Sequence, residues 1–382
     1  MGEAKAAIDV KGIEALIAAL AARGYTVLGP AVHEGAIVYD EISGVADLPK
    51  GWTDRQDGGR YRLERRDDDA LFGFAHGPQS WKRYLHPPMQ TLWTARKNGA
   101  DLEIVPPEKP SQKFAFIGAR SCELHAIEIQ DKVFCNGPYV DAGYAARRRN
   151  TFIVAVNCAE AGGTCFCVSM KTGPKAQSGF DLALTELMNG SGHIFLAEAG
   201  SDAGTELLAE LPKQPATEEH LAAASAVVER TASRMGRSLT TDGIKQLLQD
   251  NPNHARWEDA ARRCLSCGNC TMVCPTCFCT TVDDYSDLTG TSATRVRKWD
   301  SCFTLDFSYL HGGAVRQSAS ARYRQWMTHK LASWYDQFAT SGCVGCGRCI
   351  TWCPTGIDIT EEAAAIRTAS GARPEKCEAV FR

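Results

Sequence analysis

An α/β or α+β amino-terminal domain, followed by a cysteine-rich and mainly helical carboxy-terminal domain, is the fold class this sequence predicts. Three observations carry the prediction. The continuous apolar runs KFAFIGA and TFIVAVN flank a stretch of helical periodicity, the pattern of a βαβ unit. Near residue 200 the composition shifts toward Ala, Glu and Leu with few aromatics. From Asp259 onward most cysteines fall into CxxC-type clusters. The expected partition is an α/β domain over 1–200, a helical connector over 201–258 and the cysteine-rich domain over 259–382.

The elements follow in order. Ile13, Leu16, Ile17 and Leu20 recur at helical spacing, so the chain is expected to open on an amphipathic helix. TVLGPAVHEGAIVYDEI reads as short strands and turns broken by Gly and Pro. DRQDGGRYRLERRDDD carries a DGG turn signal between polar strands and is expected to form an exposed hairpin. KFAFIGA and TFIVAVN read as buried strands, and SCELHAIEIQDKVF between them as a helix with Leu124, Ile127 and Val133 near one face. In the connector, Thr217 stands as a helix cap after a Pro-rich start. Trp81, Trp93, Trp326 and Trp334 are read as core fillers rather than partner contacts.

Composition bounds the function. The 382 residues are 44% hydrophobic, enough for two or three cores. A net charge of −3 without a basic stripe argues against nucleic acid and against an anionic membrane surface. No apolar run of about 18 residues exists, so no membrane span is expected. The amino terminus lacks a secretory signal, which points to the cytoplasm. There, 17 cysteines are free for metal rather than committed to disulfides.

The spacing of those cysteines is the most specific signal. Cys264, Cys267, Cys270 and Cys274 form one CxxCxxCxxxCP run, and Cys343, Cys346, Cys349 and Cys353 form a second. This is the run of two-cluster bacterial ferredoxins, in which the fourth cysteine serves the other cluster. Cys264, Cys267, Cys270 and Cys353 are therefore assigned to one [4Fe–4S] cluster. Cys343, Cys346, Cys349 and Cys274 are assigned to the other. Gly268 and Gly347 are expected to ease the turns. Zinc also takes four thiolates, but usually through pairs of CxxC. Residues 275–342 separate the runs, and SARYRQWMTHKLASWYDQFA within them is helix-compatible. An α-helical ferredoxin-like two-cluster domain is expected, by analogy with succinate dehydrogenase iron–sulfur subunits.

Nine cysteines remain. Cys122, Cys158, Cys165 and Cys167 fall at expected strand and loop ends, where loops after parallel strands converge. A third cluster is the favoured reading, with plain burial as the alternative. Cys277, Cys279 and Cys302 are read as packing, with secondary ligation or a further metal site as alternatives. Cys135 and Cys377 have no evident partner. No catalytic constellation stands out, and His125, His311 and His329 are read as structural. No GxGxxG follows a strand and no GxxxxGK[ST] exists, which argues against a self-contained nucleotide enzyme.

Several longer stretches support a family resemblance: GYTVLGP with GAIVYDEI, GRYRLERRDD, GARSCELHAIEIQDKVF, GGTCFCVSMKTGP, CLSCGNCTMVCPTCFCTTVDD, KWDSCF, RYRQWMTHK and CVGCGRCITWCPTGIDI. Together they span nearly the whole chain, which resembles the iron–sulfur β subunit of cytoplasmic NADP-linked [NiFe] hydrogenases, the sulfhydrogenases. The A subunit of anaerobic sulfite reductase is similar. The resemblance implies an electron-transfer subunit that relays electrons between a flavin/NAD(P)-binding subunit and the hydrogenase small and large subunits. The alternative is the electron-transfer A subunit of an anaerobic sulfite reductase, feeding a sirohaem partner. GARSCELHAI and the Cys158–Cys167 group are also similar to cluster loops in deazaflavin-reducing hydrogenases, which favours the third cluster.

Overall fold

The computed structural model describes residues 5–189 and 192–371; Cys377 lies outside them. It opens on a strand that the sequence reading missed, β1 (Lys5–Asp9), ahead of the expected helix α1 (Val10–Ala22). Asp9 ends the strand and caps the helix, its carboxylate accepting the Gly12 N–H at 2.9 Å. As the periodicity requires, α1 buries Ile13, Leu16, Ile17 and Leu20. Next come β2 (Tyr25–His33), β3 (Ala36–Glu41), β4 (Trp52–Asp57), β5 (Arg60–Arg65), α2 (Lys82–Leu85), β6 (Met89–Asn98) and β7 (Asp101–Val105). β8 (Lys113–Ala119), α3 (Ser121–Phe134), α4 (Ala142–Arg149) and β9 (Thr151–Val156) contain the expected βαβ unit, with β8 and β9 parallel. β10 (Leu182–Asn189), β11 (Gly192–Ala199), α5 (Asp202–Glu210), β12 (Gln214–Pro215) and α6 (Glu218–Ala232) follow. Thr217 caps α6, as its position suggested.

Eight of these strands form one mixed sheet in the order β12-β1-β11-β10-β9-β8-β2-β3. Its central strands are mainly apolar because helices or loops cover both faces, with Thr185 and Glu186 the buried polar exceptions on β10. Alternate side chains divide between two cores: Ala115, Ile117, Phe152 and Val154 pack with α1 and α5, whereas Phe114, Phe116 and Ile153 pack with Trp81, Leu124, Ile127 and Tyr144. This sheet sets Cys122 at the start of α3 and Cys158 just beyond β9.

Further along lie α7 (Ile244–Asp250), α8 (Arg256–Arg263), α9 (Asn269–Met272), β13 (Thr280–Ser286), β14 (Ser292–Trp299), α10 (Ala319–Thr328), α11 (Trp334–Phe338), α12 (Arg348–Thr351) and α13 (Ile359–Gly371). α10, a π-helical turn (His329–Ser333) and α11 occupy the stretch read as helix-compatible. The region is not wholly helical, however. β13 and β14 form a hairpin, and β14 pairs antiparallel with β6 to give the sheet β13-β14-β6-β7. Thr94 faces Thr294 across that seam, so strands 200 residues apart share one sheet.

Two loops then dock on the second cysteine run. The β4–β5 hairpin, expected to stand exposed, rests its tip there: Gly59 N–H donates to Ile350 O at 3.1 Å, and Gln56 accepts from Thr351 Oγ1 at 2.8 Å. Residues 162–167 lie alongside, with Phe166 N–H donating to Gly345 O at 2.8 Å. Leu239, Trp257, Phe303, Tyr323, Trp326 and Ile366 build a separate apolar core into which six cysteines pack.

Candidate metal centre

The two cysteine runs adopt the same backbone. Ser266 (φ 51°) and Gly345 (φ 66°) occupy matching left-handed positions, as do Gly268 (φ 77°) and Gly347 (φ 75°). Each run then starts a short helix, α9 or α12, and its N–H groups repeat the same bonds. Thr271 and Ile350 donate at 2.9 Å to Gly268 O and Gly347 O, and Met272 and Thr351 donate to the same carbonyls at 3.1 Å. The sulfurs receive matching donors. Ser266 N–H points to Cys264 Sγ and Gly345 N–H to Cys343 Sγ, each at 3.4 Å. Thr276 Oγ1 lies 3.1 Å from Cys274 Sγ, and Thr355 Oγ1 lies 3.4 Å from Cys353 Sγ. Equal spacing has thus produced equal geometry.

The fourth cysteine of the second run lies with the first three of the first run. Cys264, Cys267, Cys270 and Cys353 line one cavity, with Cys349 of the second run also at its wall beside Phe303, Tyr323, Trp326 and Ile357. Burial pushes the Cys270 thiol well above its usual range, with Cys264, Cys353 and Cys267 adding to the effect. Burial does the same to Cys349, with Cys343, Cys346, Cys274 and Cys270 adding to the effect. Cys343 is pushed up to about 12, also by burial. Such groups shed their protons only when a cation replaces them.

Cys122, Cys165 and Cys167 are buried near one another and feel the same cysteines. Burial raises Cys122, whose sulfur neighbours are Cys346, Cys167 and Cys158. Burial raises Cys165 too, beside Cys167, Cys158 and Cys346. Cys167 is pushed up to about 12 by burial and then by Cys158 and Cys346. This quartet borders the second run through Cys346. His76, buried and held neutral by desolvation, places Nε2 3.8 Å from Cys165 Sγ. Among the described residues, no three His, Cys, Asp or Glu side chains are grouped closely enough to hold a single metal ion. Four thiols per group, backbone N–H groups aimed at sulfur and apolar walls fit a four-iron cluster.

Cys277, Cys279 and Cys302 lie at the edge of these groups. The Cys302 thiol donates to Cys279 and holds it down at about 7. The Cys277 thiol donates to Cys274 and, with Lys330, holds Cys274 well below its usual range against the opposing effect of burial.

Three residues escaped sequence reasoning. Lys330 Nζ lies 3.2 Å from Cys274 Sγ; burial opposes its charge, but the surrounding sulfurs outweigh burial and keep it protonated. Its position on the buried stripe of Tyr323, Trp326, Met327, Leu331 and Trp334 was the available signal. Arg348, within the second run, donates to Glu123 Oε1 at 2.6 Å, and both side chains are fully buried. Their separation of 225 residues left no local trace.

Comparison with known proteins places the cysteine runs in a known family. Residues 263–357 match a 4Fe-4S dicluster domain family. The chain is 36% identical over 258 residues to sulfhydrogenase 2 subunit beta of Pyrococcus furiosus, covering 67% of this chain and 74% of that protein. No solved structure matches. No helix among the described residues is long and apolar enough to cross a membrane. With a dicluster domain matched across both cysteine runs and most of a known β subunit aligned, this chain belongs to the family of iron–sulfur β subunits of sulfhydrogenases.

Proposed function

We propose that the chain is the electron relay of a cytoplasmic [NiFe] hydrogenase, passing electrons through three [4Fe–4S] clusters between a flavin/NAD(P)-binding subunit and the hydrogenase small and large subunits. The observation that supports this reading is that Cys353 of the second run lines a cavity with Cys264, Cys267 and Cys270 of the first, the two loops sharing left-handed turns at matching positions. Cys264, Cys267, Cys270 and Cys353 would hold the first cluster. Cys343, Cys346, Cys349 and Cys274 would hold the second, and Cys122, Cys158, Cys165 and Cys167 the third.

When bound, such clusters take up and release one electron at a time without making or breaking bonds to substrate. The protein's part is to hold the thiols, exclude water and supply N–H groups to the sulfurs. Cys270 neighbours Cys349, and Cys346 neighbours Cys122, Cys165 and Cys167, so the second group lies between the other two. Cys267 is exposed, which gives the first group a face toward solvent or a partner.

The test is iron and acid-labile sulfide per chain after anaerobic purification. Three clusters require about twelve irons, and Cys165→Ser is then expected to remove about four. About eight irons would reduce Cys122, Cys158, Cys165 and Cys167 to packing, and zinc in place of iron would end the reading. Copurifying nickel would support the hydrogenase assignment, whereas sirohaem would overturn it.

A further inference from the structure

Lys330 is a buried ammonium that no carboxylate among the described residues neutralises. Its Nζ lies 3.2 Å from Cys274 Sγ, 3.2 Å from Thr276 Oγ1, 3.5 Å from Cys277 Sγ and 3.2 Å from Gly342 O. The two oxygens and two sulfurs can all accept, and an ammonium offers donors only, so the pocket suits the charged form. Burying that charge is costly unless a negative partner is built beside it. The partner here is sulfur. The lysine also sits on a π-helical turn, His329–Ser333, a rare geometry that recurs at functional sites. Leu331 and Trp334 keep the flanking turns apolar, so the lysine interrupts an otherwise greasy face.

The matching position of the other run has no such cation. Cys353 Sγ meets Thr355 Oγ1 and the Ile357 N–H, each at 3.4 Å, and no ammonium is placed against it among the described residues. Two loops of similar backbone therefore differ in the charge held against the fourth cysteine. A second ammonium strengthens the contrast: Lys82, 5% exposed, donates to Cys277 O at 3.2 Å and lies over the Trp299 ring.

We infer that Lys330 sets the reduction potential of the cluster that Cys274 ligates, raising it above that of the first cluster. This rests on the assignment of Cys274 as a ligand. Reduction adds one electron and no proton or bond, and the added negative charge is stabilised by a positive charge held at ligand sulfur in a poorly screened interior. Lys330 is a positioning charge here, not a ligand. The middle cluster of the relay then holds an electron in preference to the first.

The experiment is an EPR-monitored redox titration of the purified complex carrying Lys330→Gln, Lys330→Arg or Cys274→Ser, with iron quantified in each. In Lys330→Gln, one cluster is expected to become at least tenfold harder to reduce, about 59 mV for one electron, with iron and the other potentials unchanged. Lys330→Arg is expected to restore that potential. Unmoved potentials in an iron-replete Gln variant overturn the inference, as does an equal shift in Gln and Arg. If the Gln variant loses iron, Lys330→Met takes its place and is read the same way: a lowered potential that Lys330→Arg does not share supports the inference, and an unmoved one overturns it. Cys274→Ser with unchanged iron and spectra would instead sink the ligand assignment itself.

Discussion

Glu123 shows how much one side chain can join. It lies at the start of α3 with 1% exposure, and its Oε1 accepts from Arg348. Its Oε2 accepts from the Tyr39 hydroxyl at 2.8 Å, the Trp81 indole N–H at 3.2 Å and the Arg120 N–H at 3.1 Å. The carboxylate therefore links the amino-terminal sheet, helix α3 and the second cysteine run. Arg348 also donates from Nε to Gly77 O at 3.1 Å, which ties the same run to the loop after β5. Removing one partner of a buried ion pair strands the other's charge and typically costs about 3–5 kcal/mol. Glu123→Gln is thus expected to lower the thermal midpoint of the iron-loaded protein by several degrees, measured against wild type at equal iron content. An unchanged midpoint would mean that Arg348 finds another anion.

Among elements, the two glycine turns separate backbone strain from docking. Gly268 and Gly347 both need a left-handed backbone, so an added Cβ costs each about 1–2 kcal/mol. Their surroundings differ. A Cβ at Gly347 would come 2.3 Å from Thr164 O, whereas one at Gly268 would come 3.1 Å from the Ser301 side chain. Backbone cannot step aside as a serine side chain can. Gly347→Ala is therefore expected to push the 162–167 loop off the second run and to lose iron from both adjoining groups. Gly268→Ala should lose less, and equal losses would show that strain alone matters. The same contacts explain why the β4–β5 hairpin reads as exposed and is not: its polar alternation suits water, but its Gly58–Gly59 tip is small enough to press on Gly356 and Cys353.

The whole molecule has two kinds of core. The eight-stranded sheet is held by aliphatic and aromatic side chains packed on both faces and contains no cysteine in its largest core. The carboxy-terminal core has cysteines among its members and as its border. Removing metal leaves those thiols crowded, buried and protonated, without the bonds that hold the loops. Iron chelation under reducing conditions is therefore expected to raise hydrogen exchange in α8–α13 while β8, β9 and β10 keep their protection. Uniform loss of protection would show that the sheet depends on the metal sites as well. Acid should act in the same direction, because thiols with raised pKa values give up their protons less readily as pH falls, so reassembly from the apo chain slows on acidification.

Local features of the chain were readable before folding. The segment SCELHAIEIQDKVF spans the bounds of α3, because helical period, apolar spacing and end signals all lie within fourteen residues. The two CxxCxxCxxxCP runs specified which thiols could act together and where left-handed glycines were needed, since spacing and φ are properties of a few consecutive residues. The strands β1, β13 and β14 were not readable. TTVDDYS buries little and alternates weakly, and it becomes a strand by pairing with β14, which pairs in turn with β6 nearly two hundred residues away. Nor could spacing show that the Cys122 group borders the second run, that Arg348 meets Glu123 or that Lys330 faces Cys274. Those are contacts between distant segments, bought with loop-closure entropy and repaid by burial, and only the packed fold brings them within reach.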